Sequence, residues 1–320
     1  MSSAEKFYGL SEEPFGLDPD PGFLFLTENL KKVLFSLQYG LTGKKGFVLL
    51  IGETGTGKTT FIHHLMSVLG PPIKVIPIFQ PLQTFDEMVE FILRELKVPL
   101  EEGKSGSRLR QLDEYLYQRS AQDESLLIIV DEAQNLSGEF LEQLRLLCNP
   151  DPVRPRFVQG FLVAEPDIDE KLDSYDLRAL KQRIVIRRKL RPLTEEESRE
   201  YIDHRLRKVG SSQEEVFTPE AAASIWRHSG GIPRVINTHC YFALSTGYVL
   251  SQKKIDAPLI EKILPLFGKQ QPGISEPRQS PAMAFIDRFA KSPPMARISY
   301  ALLTYSLVIW LAFFLIINLK

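Results

Sequence analysis

The residues best suited to chemistry are Gly52-Glu53-Thr54-Gly55-Thr56-Gly57-Lys58-Thr59-Thr60, which follow the apolar run Gly46-Phe47-Val48-Leu49-Leu50-Ile51. Glycines at this density let backbone N–H groups converge on an anion. A helix opening behind them adds the partial positive charge of its N-terminus. The apolar run predicts a buried strand, and Phe61-Ile62-His63-His64-Leu65-Met66 predicts the helix. Strand, glycine loop, Lys-Thr and helix together predict a phosphate-binding loop. In such a loop Lys58 reaches the β- and γ-phosphates of ATP and the Thr59 hydroxyl takes a place on Mg²⁺.

A second constellation lies downstream. The strand-like Leu126-Leu127-Ile128-Ile129-Val130 ends in Asp131-Glu132. Asp131 at a strand end suits Mg²⁺, held through its water shell, and Glu132 suits the orientation of a water attacking the γ-phosphate.

These residues need a scaffold, and the chain predicts one. Residues 28–40 carry Leu30, Val33, Leu34 and Leu37 at helical spacing. Strands are expected at 73–78, 126–130, 157–163 and 184–186, with helices at 85–96 and 107–120. Strands alternating with helices predict an α/β fold, a mostly parallel sheet covered on both faces. Beyond Pro192 the pattern turns helical. Thr194 and Glu197 form a capping box, Thr218-Pro219 an N-cap with proline at the first helical position, and Gly230-Gly231-Ile232-Pro233 a break before a helix over 234–250. A last helix is expected near 257–266. The resulting division is an α/β nucleotide-binding domain with its N-terminal segment over 1–190 and a helical lid over 191–267. A proline-rich linker over 268–297 and a transmembrane helix over 298–319 follow.

Composition bounds the partners. The 320 residues are 43% hydrophobic and 25% charged with a net charge of -1, so no global field favours nucleic acid. Two cysteines in separate segments predict no disulfide framework, and the histidines have no metal-ligand spacing; His63-His64 is expected on a solvated helix face. Residues 298–319 carry no charge and match the length of a bilayer-spanning helix. Arg288, Lys291 and Arg297 precede the span and only Lys320 follows it. Positive-inside bias then places the N-terminal bulk in the cytoplasm, as a single-pass inner-membrane protein.

The phosphate loop, Asp131-Glu132-Ala133-Gln134-Asn135-Leu136 and Gly231-Ile232-Pro233-Arg234 together resemble an AAA+ ATPase. More narrowly, Phe7-Tyr8-Gly9-Leu10, Pro14-Phe15, Pro19-Asp20-Pro21, Gln182-Arg183-Ile184, Leu193 with Glu197, residues 201–206 and residues 231–237 resemble the ExeA-like, general secretion pathway A ATPases. The resemblance covers residues 5 to about 266. It implies a five-stranded parallel sheet plus a helical lid, with ATP between them and a homo-oligomer completing the site. It also implies that Arg234 contacts the γ-phosphate in the same subunit, and that Arg183 is an arginine finger for a neighbour. The adenine pocket is expected from the N-terminal segment, including Phe15, and the lid near Ile202.

Two departures stand out. Related sequences read Gly-Gln-Pro where this chain has Ala164-Glu165-Pro166, which places a carboxylate at the first-sensor position. The chain also stops at Lys320, where larger members carry a peptidoglycan-binding domain; its layout resembles relatives of exopolysaccharide and exosortase-type export loci. The expected function is a membrane-anchored ATPase that drives or regulates assembly of an envelope secretion or polysaccharide export machine. The alternatives are an ATP-gated oligomeric scaffold with little turnover and a DNA-handling AAA+ regulator.

Overall fold

The computed structural model describes residues 3–18, 20–43, 46–79, 82–100, 105–149, 157–210 and 215–264. In chain order the elements are α1 (Ser3–Tyr8), α2 (Glu28–Thr42), β1 (Phe47–Gly52), α3 (Lys58–Val68), β2 (Ile73–Ile78), α4 (Phe85–Glu95), α5 (Ser105–Ser120), β3 (Ser125–Val130), α6 (Gly138–Leu147), β4 (Val158–Ala164), α7 (Ile168–Leu172), α8 (Arg178–Arg183), β5 (Ile184–Leu190), α9 (Glu195–Lys208), α10 (Pro219–Ser229), α11 (Pro233–Val249) and α12 (Ala257–Ile263). Short 3-10 turns intervene, among them Pro21–Phe23.

All five strands are parallel, in the order β2-β3-β4-β1-β5. Every residue of β1, β3 and β4 is buried, which explains their unbroken apolar runs: helices cover both faces. One face packs Leu49, Ile51, Ile128 and Leu162 against α4 and α6. The other packs Val48, Leu50, Ile129 and Phe161 against Leu37 of α2 and Phe61 and Leu65 of α3. At the edge, β5 runs four residues beyond the stretch predicted for it, through the exposed Arg187, Arg188 and Lys189. Outward charge on an edge strand hides the strand signal and discourages pairing with another chain.

The helical domain forms as its caps predict. Thr194 and Glu197 make the reciprocal capping box of α9, and Thr218 caps α10 ahead of Pro219. Its core holds Ile202, Leu206, Ile225, Ile236 and Leu244, and it also takes Tyr8, Leu10 and Phe15. The opening segment, grouped with the sheet domain on sequence, is therefore built into the lid. Tyr8 donates to the Gln252 carbonyl at 2.9 Å, and the Ser11 backbone N–H donates to the Val209 carbonyl at 2.9 Å. Gly231, at φ +75°, lets the chain pass against Leu193, whose carbonyl oxygen a Cβ there would meet at 2.1 Å.

The sequence reading missed α6, although Phe140, Leu141, Leu144 and Leu147 recur at helical spacing on its buried face and Ser137 caps it. His63 and His64 are half-buried, with His63 stacked on Phe79 at 5.0 Å, so that helix face is only partly solvated. Among the described residues no helix is long and apolar enough to cross a membrane. The linker and span expected over 268–319 lie outside the described residues.

Candidate functional site

The strand order dictates where the site must be. Parallel strands bring the C-terminal ends of β1, β4 and β3 side by side, so the glycine loop, Glu165 and the Asp131-Glu132 pair meet at one edge of the sheet. Gly55 and Gly57 adopt φ +81° and +92°, the left-handed values a loop of converging N–H groups requires, and α3 begins at Lys58. Lys58 is only 5% exposed, and its Nζ donates to the Gly52 carbonyl at 3.0 Å. The Thr59 hydroxyl donates to Asp131 Oδ2 at 2.9 Å. A hydroxyl and a carboxylate thus meet where the sequence expects Mg²⁺, a donor set suited to a hard cation that keeps most of its water. Glu132 itself sits at φ +54°, a conformation that costs a non-glycine residue on the order of 1–3 kcal/mol and is characteristic of functional positions.

These residues line a cleft of about 390 Å³ between the sheet and the helical domain, a volume within the range of ligand pockets. Thr54 to Thr60 and Glu132 line one end of it. Gly52 and Glu53 support the loop from behind: Thr56 Oγ1 donates to the Glu53 carbonyl at 2.7 Å. Arg234 lines the cleft with an exposed side chain at the first turn of α11, and its backbone N–H donates to the Gly55 carbonyl at 3.1 Å. Arg183 is not in the cleft. It precedes Ile184, which pairs with Phe47 at the opposite end of β1 from the loop, so it lies across the sheet from its own site.

Residues 41–172 match the family model described as AAA domain. The chain is 37% identical over 251 residues to general secretion pathway protein A of Aeromonas hydrophila, covering 78% of this chain and 46% of that protein. The chain belongs to the ExeA-like AAA family. It spans about half the length of that relative. Among solved structures, the ORC2 protein of Aeropyrum pernix in ADPNP–ADP complexes superposes with a TM-score of 0.61 at 16% identity, over 80% of this chain and 71% of that one. The RuvB Holliday junction branch migration motor of Thermotoga maritima gives a TM-score of 0.51 at 22% identity, over 78% and 72%. At these identities the likeness is one of fold, the parallel AAA sheet with its helical lid.

At its far end the cleft of this ExeA-like AAA chain draws on the two segments expected, the N-terminal one and the lid near Ile202, but not on the residues singled out. The N-terminal segment does contribute, through Gly16, Leu17, Phe23 and Phe25. Phe15 and Ile202 do not: each is 1% exposed in the lid core, with Phe15 edge-on to Phe217. The lid instead presents Tyr201, Arg205 and Asn237. Arg205 is 6% exposed, donates from Nε to the Pro14 carbonyl at 2.6 Å and from Nη1 to Tyr201 Oη at 2.6 Å, and lies over the Phe23 ring. Tyr201 donates to Asn237 Oδ1 at 2.8 Å, and Asn237 Nδ2 donates to the Gly16 carbonyl at 3.2 Å. Burial pushes the Tyr201 phenol above its ordinary range. Beside it, Arg191 grips Glu197 with two hydrogen bonds and holds that carboxyl below the usual value. The signal for the network was a charge inside an apolar stripe: Tyr201, Ile202, Arg205 and Leu206 share one buried helix face.

The first-sensor position carries the sharpest departure. Glu165 does not turn away. Its Oε1 accepts from Thr54 Oγ1 at 2.5 Å and lies 3.6 Å from Lys58 Nζ, while Glu132 Oε1 lies 4.0 Å from the same ammonium. Gln134 bridges the two acids: its Oε1 accepts the Glu165 backbone N–H at 3.1 Å and its Nε2 donates to Glu132 Oε2 at 2.6 Å.

Proposed function

We propose that the chain binds ATP with Mg²⁺ in this cleft, hydrolyses it, and couples the cycle to assembly or regulation of an envelope secretion or polysaccharide export machine. The observation that carries this reading is the Thr59–Asp131 contact directly in front of the glycine loop. Backbone N–H groups of the loop and Lys58 hold the phosphates, and the Thr59 hydroxyl and Asp131 hold the cation. Mg²⁺, when bound, neutralises phosphate charge and polarises the transferring group. Glu132 orients and polarises the attacking water, and Arg234 answers charge developing on the γ-phosphate from its place in the lid.

Arg183 serves a neighbouring subunit. Its position at the far end of the sheet supports that assignment, because it has no route to its own cleft. A homo-oligomer is therefore part of the reading. The likeness to general secretion pathway protein A supports an export setting. The uncharged run over 298–319 supports a single-pass inner-membrane anchor with the ATPase in the cytoplasm. Phosphate release by the full-length chain in detergent, measured against protein concentration, tests the enzymatic part: specific activity should rise with concentration and vanish in Arg183→Ala. Extraction of membranes at alkaline pH tests the anchor, which should remain in the pellet.

One observation favours a second reading, an ATP-gated scaffold with little turnover. Glu165 sits on Lys58 and Thr54, where a γ-phosphate would be received. Nucleotide-dependent oligomerisation without phosphate release selects it.

A further inference from the structure

The topology leaves one position with special authority over the phosphates. Because β4 lies between β1 and β3, the residue that follows it emerges between the glycine loop and Asp131-Glu132. That residue is Glu165. Its carboxylate accepts the Thr54 hydroxyl at 2.5 Å and faces the buried Lys58 ammonium at 3.6 Å, with its own side chain 29% exposed. It therefore makes, with protein groups, the contacts a terminal phosphate would make: a hydroxyl donor from the loop and the loop lysine.

We propose that Glu165 sets the phosphate preference of the cleft, so that the site takes a nucleoside diphosphate in preference to a triphosphate. The proposal rests on the nucleotide-site reading above. Lys58 is the only cation within 4 Å of either acid among the described ion pairs, and it is already shared between Glu132 at 4.0 Å and Glu165 at 3.6 Å. A β-phosphate is held by the loop N–H groups and Lys58 without displacing the Glu165 carboxylate from Thr54. A γ-phosphate brings further negative charge against a carboxylate, and like charges this close in a partly desolvated cleft are strongly unfavourable. Triphosphate is accommodated only when Glu165 leaves Thr54 and Lys58.

The Gln134 amide joins the Glu165 backbone N–H to the Glu132 carboxylate, so the main chain at Glu165 stays tied to Glu132 while the Glu165 carboxylate moves. Glutamine at position 165 would keep the acceptor for Thr54 and lose the charge, which isolates the electrostatic part of the argument.

The test is calorimetric titration of the full-length chain in detergent with ADP and with the β,γ-imido analogue of ATP, each with Mg²⁺. Wild type, Glu165→Gln and, as a control for loop-dependent binding, Lys58→Ala are compared. Wild type is expected to bind ADP at least tenfold more tightly than the triphosphate. Glu165→Gln should bring the two within about threefold by tightening the triphosphate alone. Equal affinities in wild type overturn the proposal and leave the nucleotide site standing. So does a Glu165→Gln variant whose preference is unchanged, or one that loses triphosphate affinity. Absence of binding by either nucleotide to wild type overturns the nucleotide-site reading itself, and the proposal with it.

Discussion

Arg234 donates its backbone N–H to the Gly55 carbonyl at 3.1 Å, bonding the first turn of α11 to the crown of the phosphate-binding loop. The lid and the loop are thus in contact through main-chain atoms as well as through the Arg234 side chain that lines the cleft. A change in what the loop holds reaches the lid without an intermediary, the kind of two-body arrangement that hinge motions use.

Gly55→Ala should break that contact. A Cβ at this position would lie 2.9 Å from Arg234 Cβ and 3.1 Å from Ile232 Cγ2, on a residue at φ +81°. Strain at positive φ alone costs on the order of 1 kcal/mol or more, and the lid must also move. Thermal unfolding is expected to show a lower midpoint and a smaller stabilisation by Mg²⁺-nucleotide than in wild type.

Arg205→Leu removes one of the links between the lid and the opening segment. The Pro14 carbonyl and the Tyr201 hydroxyl each lose a donor in a buried setting, and each such loss costs about 1–3 kcal/mol. Denaturant unfolding should register about 2–4 kcal/mol of lost stability. Tyr201→Phe, which deletes only the hydroxyl between Arg205 and Asn237, should cost about half as much.

The lid should also be sensitive to mild acid. Burial, aided by the neighbouring charge of His228, lowers the His239 pKa from 6.5 to about 4. The unfolded chain takes up a proton below 6.5 that the folded chain resists, so stability is level above that pH and falls between about 6.5 and about 4. The loss is on the order of 1–3 kcal/mol, and His239→Gln should flatten it. Glu197, held low by Arg191, contributes in a different window: its share is present above the ordinary carboxylate value and is lost only as the pH falls through its lowered folded value. Equilibrium unfolding at a series of pH values separates the two.

Arg183→Ala and Glu132→Gln should each release no phosphate alone, yet recover part of the activity when mixed. A Glu132→Gln subunit still offers Arg183 to a neighbour whose Glu132 is intact. Mixtures that stay inactive would mean that Arg183 does not act across an interface.

Much of this was legible in the sequence for physical reasons. Strands buried on both faces leave unbroken apolar runs, and β1 and β3 stand within a residue of their predicted places, as does the half-buried edge strand β2. The lid helices were marked by caps, Thr194 with Glu197 and Thr218 with Pro219, whose chemistry is local. The glycine loop and the Asp131-Glu132 pair were legible as candidates for the same reason, since each is contiguous. At the far end of the cleft the segments were legible but not the residues. Tyr201, Arg205 and Asn237 meet Pro14 and Gly16 only through tertiary packing, and Phe15, expected in the adenine pocket, serves instead to fill the lid core. The Glu165–Lys58 pairing belongs to this class as well: the residue type was visible, but its direction depends on β4 lying between β1 and β3.

Phosphate release by the full-length chain with Mg²⁺-ATP, run beside Lys58→Ala and Glu132→Gln with ATP binding measured on all three, tests the central claim most directly. Wild type should turn over ATP, Lys58→Ala should lose both binding and turnover, and Glu132→Gln should keep binding without turnover. Unchanged phosphate release in Lys58→Ala would place the activity elsewhere and contradict the account.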